Sequence, residues 1–283
     1  MSWFTLLLAT VVIDSVIILA QKKWAMRKSH NSMITGALYQ VVTGLFFLVV
    51  AIATHNLNLN LGVGGALIII ASTALFTLSA TLWFYALQRV PATTATIVMS
   101  TRTIFVLVLG FVLLGESVTL RQFAGMTLIM TGVVYSQYKD KLNFKLTFIG
   151  ILVLNAFVAS LANIVDRVAT KSINLYTYLA LAFLLPGLIM LLIQKISHQK
   201  LILHLSRDYV LHIVVIAILF VVSASAYLAG LSIAPSTGLV VFVNQTKVVL
   251  TVILAVLFLH ERGRARQKMI SSVFCLIGLY LLN

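Results

Sequence analysis

Apolar residues run along this chain in long blocks. Blocks at 3–20, 33–54, 64–88, 92–114, 120–138, 147–168, 175–196, 209–232, 236–259 and 266–282 carry few charges and are separated by short polar segments. Each is about long enough to cross a hydrocarbon core of roughly 30 Å. Lipid offers the backbone no hydrogen bonds, so each block must close its own as a helix. The pattern predicts an all-α integral membrane protein of ten transmembrane helices with no soluble domain.

Two blocks say the same thing. Pro91 to Glu116 reads PATTATIVMSTRTIFVLVLGFVLLGE, and Pro235 to Glu261 reads PSTGLVVFVNQTKVVLTVILAVLFLHE. Each opens on Pro and small residues, continues apolar and closes on Glu. Each holds one cation near its centre, Arg102 and Lys247. Alignment from the Glu end superposes the two, while alignment from the Pro end slips by one residue. The repetition divides the chain into 1–143 and 144–283, five spans each. A duplicated odd unit enters the membrane upside down in its second copy, so the expected architecture is an inverted 5+5 repeat.

Composition agrees. The chain is 61% hydrophobic and 9% charged, with mean hydropathy +1.10, which a soluble fold of this length could not cover. The net charge of +14 raises nucleic acid as a partner, but loop placement accounts for it better. Loops after spans 1, 3, 5, 7 and 9, including Lys22 and Arg262–Lys268, hold 15 of the Lys and Arg residues. Loops after spans 2, 4, 6 and 8 hold only Arg121, Arg167 and Lys171. The positive-inside rule then puts the odd loops in the cytoplasm and both termini outside. Cys275 is the sole cysteine, so no intrachain disulfide and no zinc site is expected. The first block lacks a basic leader and a cleavage site, and is read as a retained helix.

Candidate chemistry lies inside the spans. A charge at bilayer mid-depth costs roughly 2.5–3.5 kcal/mol on insertion scales and usually lines a polar cavity. Arg102 and Lys247 are therefore read as a paired clamp for a carboxylate or phosphate, Arg offering a planar fork and Lys a point charge. The structural alternative is neutralisation by Asp14 or by helix carbonyls. Asp14 is the one acid deep in a span; it is read either as a proton-coupling residue or as a fixed partner of a cation. Asn244, Gln40, Asn155 and Tyr227 complete the candidate substrate-binding set. Asn163 has an even claim with Asn155. Asp166-Arg167 is read as a solvated, self-paired helix end. The stripe Thr73, Thr77, Thr81, Tyr85 is read as packing with some pore lining, because Thr hydroxyls bond back to their own helix. Trp83, Phe84 and Tyr85 are read as interfacial belt. Asn244-Gln245-Thr246 matches a glycosylation sequon but lies within a span.

Ten helices in two halves, with Pro91…Gly115-Glu116 followed by Gly125 and Gly132, and Pro235…His260-Glu261 followed by Gly278, resemble the drug/metabolite transporter superfamily, closest to its EamA-like branch. The resemblance implies a secondary transporter of small metabolites with its cavity between the halves, lined mainly by the first four helices of each. Asn244 and Lys247 are similar in position to the helix-9 motif of nucleotide-sugar members of that superfamily. One departure is orientation: such members look N-in and C-in, whereas here the loops HNLNLN and GESVTL are nearly uncharged. Inverted insertion is favoured over a helix count wrong by one.

The expected function is alternating-access transport of a small polar metabolite, anionic or carboxylate/phosphate-bearing, by gradient coupling or exchange. The alternative is a flippase for a lipid-linked anionic sugar. An intramembrane enzyme is disfavoured, since Asp14, Glu116, Asp140, Asp166, Asp208 and Glu261 are scattered and His260-Glu261 extends to no metalloprotease motif. No cofactor or metal is expected. The expected partners are the substrate and the bilayer, with a homodimer left open. The expected location is a bacterial or archaeal inner or plasma membrane.

Overall fold

A computed structural model describes residues 2–25, 32–114, 119–137, 145–193, 207–235, 237–260 and 265–282. Glu116, Asp140, Glu261 and the loop cations Arg27, Lys28, Lys139, Lys141, Lys195, Lys200, Arg262 and Arg264 lie outside them. The described residues form helices and no strand. In chain order these are α1 Trp3–Ala25, α2 Ser32–Ala53, α3 Gly62–Leu87, α4 Ala92–Met99, α5 Arg102–Leu114 and α6 Leu120–Gln137, then α7 Lys145–Ser172, α8 Leu175–Ile193, α9 Arg207–Ile233, α10 Thr237–Gln245, α11 Lys247–Phe258 and α12 Ala265–Leu282. Among the described residues, seven helical stretches are long and apolar enough to cross a membrane: Trp3–Lys23, Met33–Ala53, Gly62–Leu87, Ala92–Val112, Leu146–Ser172, Leu175–Ile193 and Asp208–Ile233. A shorter apolar helix covers Val243–Phe258. The protein is a multi-pass integral membrane protein. Its outer faces expose Val12, Val49, Val63, Ile70, Leu192 and Leu257, as suits a lipid solvent that is as apolar as leucine.

The fourth and ninth apolar blocks are not continuous helices. Each breaks just before its cation, and hydroxyl chemistry explains the break. Ser100 Oγ bonds the Ile97 carbonyl at 2.6 Å, Thr101 Oγ1 bonds that of Val98 at 2.8 Å, and Thr246 Oγ1 bonds that of Val243 at 2.7 Å. The backbone N–H groups of Ser100, Thr101 and Thr246 reach the same three carbonyls, three residues back. Such bonds tighten a turn to the 3₁₀ form and interrupt the α ladder. Thr101 and Thr246 occupy matching places in the repeated passage.

Packing follows the repetition. Helix α2 lies on α8, and α6 on α12. The α3–α7 contact is matched by α1–α9, α2–α9 by α3–α8, and α5–α7 by α1–α11. Exchanging the two halves maps this set onto itself. At the α6–α12 contact, a Cβ on Gly132 would lie 2.9 Å from the Ser271 carbonyl, and one on Gly278 would lie 2.7 Å from that of Gly125. Each helix thus brings a glycine against a backbone carbonyl of the other. Two cores fill the halves' seams, one around Leu7, Phe47, Tyr178 and Leu231, the other around Leu87, Ile97, Leu152 and Leu279.

Two charges read from sequence as loop or helix-end features are structural instead. Helix α1 runs on past residue 20, and Lys22 is buried with its Nζ donating to the carbonyls of Leu87 at 2.8 Å and Val90 at 2.7 Å. Arg167, its equivalent in α7, donates to the carbonyls of Leu231 and Ala234. Both therefore cap the carboxyl end of the third helix of a half, immediately before Pro91 or Pro235. There the last carbonyls lack intrahelical partners and the helix dipole favours a cation. Lys22→Met or Arg167→Met should each lower stability by about 1–3 kcal/mol, the cost of stranding buried acceptors. Thermal unfolding in detergent reads this; an unchanged melting temperature in both variants contradicts the capping role.

Candidate binding cavity

The site is assembled from the broken helices outward. Because α5 and α11 begin at Arg102 and Lys247, both side chains are delivered to the same inner surface. They face two adjoining cavities of about 180 and 250 Å³ that share Asp14, Phe76, Arg102, Phe183, Phe220 and Lys247 in their walls. Tyr227 and Asn244 line the smaller; Gln40 and Asn155 line the larger. The structure thus gathers all seven residues nominated from sequence at one place.

The two cations have different surroundings. Lys247 Nζ is 2.7 Å from Asp14 Oδ2 and 2.8 Å from Asn244 Oδ1. Asn244 Nδ2 returns a bond to the same carboxylate oxygen at 3.2 Å and another to Thr10 Oγ1 at 3.1 Å. Ser223 Oγ donates to Asp14 Oδ1 at 2.5 Å. With side chains only 16% and 17% exposed, this is a hydrogen-bonded and largely desolvated ion pair, the arrangement in which buried charges are tolerated. Lys247 is thus already neutralised.

Arg102 is not. Its guanidinium donates to Asn163 Oδ1, which also accepts from the Tyr227 hydroxyl at 3.2 Å. Among the described residues no carboxylate lies within 4.0 Å of it. Its Nε and the Asn163 amide nitrogen are buried donors with no acceptor. The repeat shows why. Alignment of the halves sets Ser15 on Ser160 and Lys22 on Arg167, and therefore Asp14 on Ala159. Ala159 lines the larger cavity beside Arg102, but brings no charge. Asn163, one turn further along α7, supplies only a neutral oxygen.

Two sequence readings are corrected here. Asp166 is no solvated helix end: it is buried, lines the smaller cavity and accepts the Tyr178 hydroxyl at 2.5 Å. Trp83 and Phe84 turn inward, Trp83 donating to Gln21 Oε1 at 3.0 Å and lining the larger cavity with Phe84; only Tyr85 is exposed. Gln40 bonds Met190 Sδ at 4.0 Å and leaves its carbonyl oxygen buried without a donor. The Thr stripe does bond back along its own helix, Thr77 to Thr73 and Thr81 to Thr77, each at 2.7 Å. Sequence reasoning passed over Tyr178, Ser223 and Ser72. Of these, Ser223 was recoverable, since it repeats Ser79, which donates to Asn155 Oδ1 at 2.7 Å.

The helical bundle thus folds two like halves around a charged cavity. The sequence profile of the EamA-like transporter family matches residues 1–137 and again 146–283. The chain belongs to that family, and its role is transport across a membrane. A solved structure titled "Crystal structure of protein" superposes with a TM-score of 0.74 over 99% of this chain and 95% of that chain, at 13% identity; it supports the fold alone. No curated protein matches the sequence significantly.

Proposed function

We propose that the protein is a secondary transporter working by alternating access, and that its cargo is a small polar metabolite carrying a carboxylate or phosphate. The supporting observation is Arg102: a half-buried guanidinium in a cavity wall with no carboxylate within 4.0 Å among the described residues and a buried, unpartnered Nε. An intramembrane cation is costly unless something answers it. Asp14 answers Lys247; an anionic cargo would answer Arg102. Asn244, Gln40, Asn155 and Tyr227 contribute the neutral hydrogen-bonding groups of the wall. The test is ligand stabilisation of purified protein by carboxylates and phosphates, with Arg102→Gln as the control that must lose it.

Asp14 and Lys247 supply a coupling device in this proposal. Protonation of Asp14 would release Lys247, and the freed ammonium would join Arg102 in a two-cation clamp. Anion binding and proton binding would then favour each other.

The proposed frame is ten spans, as five in 1–143 and five inverted in 144–283. The breaks at Thr101 and Thr246 count within single spans, and α6 and α12 are the fifth of each half. Exchange of packing partners between the halves supports it. The loop charges place both termini outside, in a bacterial or archaeal inner or plasma membrane. A green fluorescent protein fused after Asn283 should then be dark and an external-compartment reporter active; cytoplasmic fluorescence contradicts this orientation and leaves the repeat standing.

A further inference from the structure

We infer that the outer face of the α6–α12 pair binds an anionic phospholipid, with one acyl chain in a notch on α6 and the headgroup phosphate on Arg266. The site is separate from the cavities described above, because no residue of α6 or α12 lines either of them. Helix α6 turns Gly125, Ile129, Gly132 and Val133 inward, where they are buried. Its opposite face leaves Phe123, Thr127, Met130, Thr131 and Val134 exposed.

That outer face is not smooth. It holds a notch of about 390 Å³ lined by Thr127, Met130, Thr131, Val134 and Tyr135. The two threonines are shorter than the side chains around them, and their hydroxyls are spent on their own helix. Thr127 Oγ1 donates to the Phe123 carbonyl at 3.0 Å, and Thr131 Oγ1 to that of Thr127 at 2.8 Å. The lining is therefore apolar despite its sequence. Thr127, Thr131 and Val134 follow one another at spacings of four and three, so they align along the helix. From Thr127 to Tyr135 the helix rises about 12 Å, and the notch runs lengthwise as an acyl chain does. The Tyr135 ring closes one end, held edge-on against Phe274 at 6.3 Å.

Charge selects the occupant. At the Tyr135 end, Gln267 Nε2 donates to the Tyr135 carbonyl, which sets the first turn of α12 beside the notch. Arg266, the preceding residue, is exposed and has no hydrogen-bond or ion-pair partner among the described residues. A cation in the first turn of a helix opposes the helix dipole, so an external anion gains from answering it. The guanidinium fork matches a phosphate. At the other end of the pair, Arg121 differs, lying 5.4 Å from the Tyr280 ring centroid. A second copy of the chain fits this face poorly. A two-fold contact pairs a patch with itself, which would set Arg266 near its own equivalent. A neutral lipid fills the notch and leaves the cation unanswered. An anionic phospholipid supplies both the chain and the charge.

The experiment titrates the purified full chain in neutral detergent with phosphatidylglycerol, with phosphatidylcholine of the same acyl chains, and with glycerol 3-phosphate, and reads bound lipid by native mass spectrometry. Phosphatidylglycerol should bind roughly ten-fold or more tighter than phosphatidylcholine, the scale of one charge-assisted bond, and glycerol 3-phosphate should not displace it. Arg266→Gln should bring the two lipids to equal affinity. Thr131→Trp, which fills the notch from an exposed position, should weaken both by the same factor; Thr127→Leu, a smaller filling, should do so less. Each variant is compared at a lipid-free melting temperature equal to wild type. Equal binding of the two lipids by wild type overturns the proposal, as does a preference that survives Arg266→Gln. Displacement by glycerol 3-phosphate would show an anion site without a chain. Unchanged lipid binding in both notch variants would place the chain elsewhere, and a change of oligomeric state in its stead would make the notch a face between copies; either result overturns the lipid site.

Discussion

Asp14→Asn should cost about 3 kcal/mol of stability, and adding Lys247→Met should restore most of it. The single change removes the charge that answers Lys247 while leaving the ammonium enclosed. Truncating one partner of a buried pair carries that penalty, whereas replacing both with neutral groups is often close to neutral. Asn244 sharpens the expectation, because it bonds both members at 2.8 and 3.2 Å and cannot replace a carboxylate. Thermal unfolding of the two singles and the double gives the coupling directly. Additive losses would mean the pair does not act as a unit. The same single variant should remove the pH dependence of transport, because the proposed coupling places the exchanged proton on Asp14. Pump-like pH dependence that persists in Asp14→Asn contradicts that role and leaves the structural pair intact.

Arg102→Gln should weaken binding of the anionic cargo by roughly 30-fold or more, the scale for truncating one partner of a buried, hydrogen-bonded charge pair. Ala159→Asp should do the same without removing the cation. Asp14 sits against Lys247, and Ala159 holds the equivalent place in α7, so an acid installed there supplies Arg102 with an internal partner. The cargo would then compete with a tethered carboxylate. This variant separates charge from shape, since Arg102 stays in place. Undiminished binding in Ala159→Asp would show that the cargo does not use the guanidinium. Lys247→Gln should also weaken binding, and the Arg102→Gln/Lys247→Gln double variant should lose less than the sum if both contact one anion.

The helices were legible because apolar length is a one-dimensional signal, and α2, α3, α6, α9 and α12 begin and end within about two residues of the blocks read from sequence. The cavity-lining residues Arg102, Lys247 and Asp14 were legible for a related reason: a charge inside an apolar block is conspicuous. What stayed hidden depends on direction in space. Asp166 and Arg167 are neighbours in the chain, but adjacent helical residues do not face each other. One turns to the cavity and Tyr178, the other to the end of α9. Lys22 looked like any loop cation, because nothing in a linear sequence distinguishes a topological charge from one capping a distant helix. Trp83 and Phe84 were placed by depth alone, and depth says nothing about which face of α3 they occupy. The breaks at Thr101 and Thr246 were hidden because hydrophobic periodicity is blind to a hydroxyl that bonds its own backbone.

The central claim is that Arg102 is an uncompensated cation kept for an anionic cargo. The most direct measurement is exchange of a labelled cargo in proteoliposomes, after a binding screen has identified it, with wild type, Arg102→Gln and Ala159→Asp reconstituted at equal density. The account predicts rapid exchange by wild type and near-complete loss in both variants. Wild-type rates in Ala159→Asp, or a neutral cargo exchanged equally by all three, would contradict it.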